Sequence, residues 1–178
     1  MSSEDSKQKK AVHPLLTVAG LVGGVVGYYC GIVLLIPFAM AFVFLLLARR
    51  FASERVMPFN MALAVVFGHL VWMFVGGLSA KTGFAPIILD MAIMVAGLIW
   101  LTLRPGLGPV ILLGVYEGIS LTVNIFALLH FEFGSADHKA LTAHLALRLY
   151  AIAALVSGYR QFRKQKPEYG AGFPGINA

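Results

Sequence analysis

The run from Gly108 to Phe131 is long enough to cross a bilayer and carries an acid, Glu117, at its middle. At 3.6 residues per turn, Glu117, Ser120 and Asn124 share one side of a helix, flanked by Leu113, Leu121 and Leu128. An ionised carboxylate at the centre of a bilayer costs about 3 kcal/mol even on the mildest scale, so Glu117 has to face protein, water or a positive partner. A chain built around such a helix is an assembly of helices with an apolar exterior and a polar stripe inside.

The remaining residues fit that frame. Hydrophobic residues make up 59% of the 178, and charged residues only 12%. This places the chain in the polytopic membrane class and leaves no room for a separate soluble domain. The net charge of +6 does not mark a nucleic-acid binder, because the Lys and Arg residues sit in short clusters at the ends of apolar runs. Cys30 is the only cysteine, which excludes an intramolecular disulfide, a CxxC redox pair and an all-thiolate metal site.

The expected fold is all-α, a polytopic bundle of six transmembrane helices with the N- and C-termini in the cytoplasm. Residues 1–10 form a cytoplasmic arm. The transmembrane domain covers 11–159, with helices at about 14–28, 31–49, 58–78, 85–103, 108–131 and 140–159, and 160–178 form a basic tail. The apolar stretch 11–48 is folded as a hairpin, because as one helix its 38 residues would run about 57 Å. Pro58 opens the third helix, and Arg104-Pro105-Gly106 makes a tight turn after the fourth. With six crossings, 11 of the 14 Lys and Arg fall on the cytoplasmic side, leaving Lys81 and Lys139 outside and Arg148 within a helix. That distribution satisfies the positive-inside rule and points to a multi-pass protein of a bacterial-type inner membrane.

Counting 1.5 Å per residue from the helix ends puts Glu117 and His69 about 15 Å from the cytoplasmic edge and Arg148 about 12 Å from the outer edge, nearly one depth. The same count puts Asp90 and His144 in a second layer, roughly 7 Å from the outer edge. Glu117 is therefore expected to pair with Arg148, with His69 adjacent, and Asp90 to pair with His144. Ser120 and Asn124 complete the lining of a site for a small solute or ion, open to the outer side. The alternative is a haem- or metal-binding subunit in electron transfer. Haem b would take His69 and His144 as ligands, although their expected depths differ by roughly 8 Å. Otherwise no cofactor is expected. His130, Glu132, Asp137, His138 and His144 gather at the outer mouth, with spacing that matches no metal motif. A third reading is a structural or assembly subunit whose buried charges only set packing.

No G-x-S-x-G, H-E-x-x-H or Walker A motif is present, so enzymatic chemistry is not the expectation. Besides the lipid bilayer and a small solute or ion, the expected partner is a second copy or another membrane subunit. Ala19, Gly23 and Gly27 repeat every fourth residue and would let another helix backbone approach closely. In size and plan, a small six-helix unit with both ends inside is similar to the substrate-binding subunits of energy-coupling-factor vitamin importers.

Overall fold

A computed structural model describes residues 21, 24, 25, 27–31, 35–79 and 83–170, with only the backbone described at 35, 51, 79 and 166–170. Every regular element among them is helical. Helix α1 is Leu35–Phe51, a 3-10 turn at Met57–Phe59 leads into α2, Asn60–Ser79, and α3 is Ile88–Leu103. Helix α4 is Leu107–Leu128 and α5 is Ala136–Gly170. A helical turn over 27–30 ends at Gly31, whose φ of +87° is the left-handed conformation that glycine adopts without strain. Most of the expected first helix lies outside the described residues, as do Ala19 and Gly23 of the small-residue repeat, the arm 1–10 and residues 171–178.

Local chemistry explains the boundaries. Pro58 sits in the 3-10 turn that opens into α2, where its missing N–H costs no hydrogen bond. Three residues, 104–106, join α3 to α4. Helix α5 departs from expectation at both ends. It begins at Ala136 rather than Ala140, because the Ser135 hydroxyl accepts a hydrogen bond from the His138 N–H at 3.1 Å and caps the helix. Asp137 in the first turn adds a favourable charge at the positive end of the helix dipole. Helix α5 also continues past Tyr159 to Gly170, since Gln161, Arg163, Lys164 and Gln165 are good helix formers.

Helices α2 and α5 form the centre. Helix α1 packs along α2, α4 along α5, and α3 against both α2 and α4. One apolar core joins Phe59, Leu63, Leu101, Leu113 and Leu155, and a second joins Val66, Met73, Met94 and Ala151. Two glycines permit close crossings. A Cβ at Gly68 would lie 2.5 Å from the Pro37 carbonyl oxygen, and one at Gly158 would lie 2.8 Å from that of Pro58.

The surface is inverted relative to a soluble bundle. On α4, Ile119, Val123 and Phe126 are each at least 60% exposed while Glu117 is 0% exposed. Buried charge together with an exposed apolar face is the informative departure from ordinary globular packing. Three stretches, Met57–Leu78, Leu107–Leu128 and Ala136–Gln165, are long and apolar enough to cross a membrane. Helix α3, with 16 residues, and α1, with 17, are shorter than the ~20 that a perpendicular crossing needs.

Candidate functional site

Four helices each deliver polar side chains to one place. His69 comes from α2, Asp90 from the first turn of α3, Glu117 with Tyr116 from α4, and His144 with Arg148 from α5. The carboxylate of Glu117 accepts a hydrogen bond from Arg148 Nη1 at 2.8 Å. Its other oxygen lies 3.8 Å from His69 Nδ1. Arg148 Nη2 lies 3.8 Å from Asp90 Oδ2. His69 Nε2 and His144 Nδ1 share a hydrogen bond of 2.8 Å. The five residues thus form one connected row in the order His144, His69, Glu117, Arg148, Asp90.

Burial along the row is uneven. His69 and Glu117 are 0% exposed and Arg148 is 2% exposed, whereas the Asp90 side chain is 39% exposed. Arg148 is further held over the Tyr116 ring, 5.4 Å from its centroid, a cation–π contact. His144 packs beside Trp72 at 6.2 Å and lines a cleft of about 190 Å³. Met73, Gly77, Pro86 and Ile87 form part of the cleft wall. Three buried polar atoms of the row have no hydrogen-bond partner: His69 Nδ1, Glu117 Oε1 and Arg148 Nε.

Two expectations about the row need correction. Asp90 faces Arg148 rather than His144, and His144 pairs with His69. For the second, His144 Nδ1 lies 2.8 Å from His69 Nε2, so the two imidazoles stand at one level rather than in separate layers. The length of the arginine side chain accounts for the first, since it reaches from mid-bundle toward the end of α3. The two histidines named as haem ligands are joined directly by that 2.8 Å hydrogen bond.

Ser120 and Asn124 lie one and two turns beyond Glu117 on α4, half-buried, and are not partners in the row. At the expected outer mouth, the His138 ring bonds to the Tyr29 hydroxyl at 3.0 Å and His130 Nδ1 to the Phe126 carbonyl at 2.8 Å. No three His, Cys, Asp or Glu side chains gather as a metal site among the described residues. Sequence reading missed Tyr116 as the platform under Arg148. Its position next to Glu117 and one turn before Ser120 is the signal that would have raised it.

No family model matches the chain, and no curated protein or solved structure matches it significantly. The likeness in plan to vitamin-importer subunits therefore rests on size and the expected number of helices alone.

Proposed function

We propose that this is a six-span inner-membrane protein, both ends in the cytoplasm, that binds or moves a small solute or ion through the polar row between α2, α3, α4 and α5. One observation carries the reading. At the centre of an apolar-faced bundle, buried His69 Nδ1 and Glu117 Oε1 face each other at 3.8 Å, beyond hydrogen-bond reach, and buried Arg148 Nε has no hydrogen-bond partner. Each such atom costs about 1–3 kcal/mol when left unsatisfied, so a cluster whose only task was to hold helices together would have its bonds complete. A guest with hydrogen-bonding groups, or water exchanging with it, completes them. The partial exposure of Asp90 supplies one route between the row and the surroundings.

The test is water access. With Cys30 replaced by Ser, a cysteine at Ser120 in the folded, membrane-embedded protein is expected to react with a polar, membrane-impermeant thiol reagent, and protection from that reaction becomes the assay for candidate solutes. A cysteine there that reacts only after denaturation would mean a dry interior, which leaves the buried charges a packing role and removes the proposed site.

A further inference from the structure

The hydrogen-bond geometry of the two histidines dictates where their protons sit. His69 Nδ1 lies opposite a carboxylate oxygen, Glu117 Oε1, at 3.8 Å, with no other partner for either atom. Two lone pairs facing one another in a buried site repel, so His69 Nδ1 carries the hydrogen. A neutral imidazole then has its lone pair on Nε2. That atom accepts the 2.8 Å bond from His144, so His144 carries its hydrogen on Nδ1. The basic position of His144 is consequently Nε2, on a ring that lines the open cleft beside Met73, Gly77 and Pro86.

We infer that the ion handled by the proposed site is a proton, passed from the cleft to Glu117 through His144 and His69. This rests on the reading of the row as an ion or solute site and names the ion. A proton arriving from water binds His144 Nε2. The hydrogen on His144 Nδ1 crosses the 2.8 Å bond to His69 Nε2, and the hydrogen on His69 Nδ1 crosses the wider gap to Glu117 Oε1 as that gap closes. One proton has entered, Glu117 is a neutral acid, and both imidazoles are neutral in the opposite tautomer. Arg148, relieved of its strong partner, keeps Asp90 and the face of Tyr116, so proton arrival at Glu117 shifts the guanidinium's balance toward the exposed end of the row.

Histidine nitrogen NMR and infrared difference spectroscopy of the reconstituted protein, titrated from alkaline to acid, test this without any solute. The expected alkaline state has both His69 and His144 protonated on Nδ1. On acidification both should change to the Nε2 tautomer with one common midpoint, while a carboxylic C=O band appears at that same midpoint. In Glu117→Gln the band and both tautomer changes should be lost. If that variant does not fold, His144→Gln serves instead, and the tautomer change of His69 should vanish. Histidines that each become imidazolium at separate midpoints, or a carboxylic band that survives Glu117→Gln, would overturn the relay. A reactive cysteine at Ser120 alongside static tautomers would leave the solute site standing and remove the proton. Exchanging tautomers with an unreactive cysteine would do the reverse.

Discussion

Replacing Arg148 by Met is the perturbation for which the structure gives the sharpest number. The substitution keeps the unbranched stem of the side chain and removes the guanidinium group, leaving Glu117 at 0% exposure with no hydrogen-bond donor. Two unit charges about 4 Å apart at an effective dielectric of 20 attract by roughly 4 kcal/mol. Breaking a buried pair from one side costs about 3–5 kcal/mol, because the remaining charge is stranded. The second contact of Arg148, to Asp90, contributes far less. At 3.8 Å and with 39% of the Asp90 side chain exposed, solvent screening holds it to about 1 kcal/mol or below. Arg148→Met should therefore destabilise by about 3–5 kcal/mol. Asp90→Asn should cost about 1 kcal/mol or less. Arg148→Met combined with Glu117→Leu should recover most of the loss, because an apolar replacement of both partners is often close to neutral. Reversible unfolding in mixed detergent micelles, run as a double-mutant cycle, reads these differences directly. Equal costs for Arg148→Met and Asp90→Asn, or additivity in the double variant, would refute the view that Glu117 and Arg148 are each other's essential partner.

Two glycine substitutions should have opposite signs. Gly68→Ala puts a Cβ 2.5 Å from a backbone oxygen of α1 and should destabilise by about 1–3 kcal/mol. Gly114→Ala meets nothing within 4 Å and should stabilise α4 by about 0.5–1 kcal/mol, measured by the same unfolding assay. The Cys30 thiol is pushed up by burial, partly offset by the nearby Lys139, and it donates to the Lys139 carbonyl at 3.1 Å. A raised thiol holds less reactive thiolate at neutral pH, so Cys30 should label more slowly than free cysteine at pH 7 and gain on it as the pH rises. Neutral-pH labelling as fast as that of free cysteine would contradict this.

The all-helical class and the inverted distribution of polar and apolar residues follow from the sequence alone. A chain with 59% hydrophobic residues, broken only at Pro, Gly and basic clusters, has to satisfy its backbone within helices when it lies in lipid. The same physics says that Glu117 needs a partner, and Arg148 is the one cation placed inside an apolar run, so their pairing was legible from charge and depth. His69 beside Glu117 was legible by the same count, but the partners of Asp90 and His144 were not. Depth counting assumes that each helix begins where its apolar pattern begins and stands upright, whereas Ser135 caps α5 four residues earlier and the crossing of α2 and α5 sets His144 against His69 rather than Asp90. The choice of Asp90 as the second partner of Arg148 depends on the reach of a long side chain across a helix crossing, which no spacing along the chain encodes. Composition and periodicity determine which residues must leave the lipid; only the register and crossing of the packed helices decide which of them meet, because a one-turn offset moves a side chain by about 5.4 Å, more than the length of any hydrogen bond.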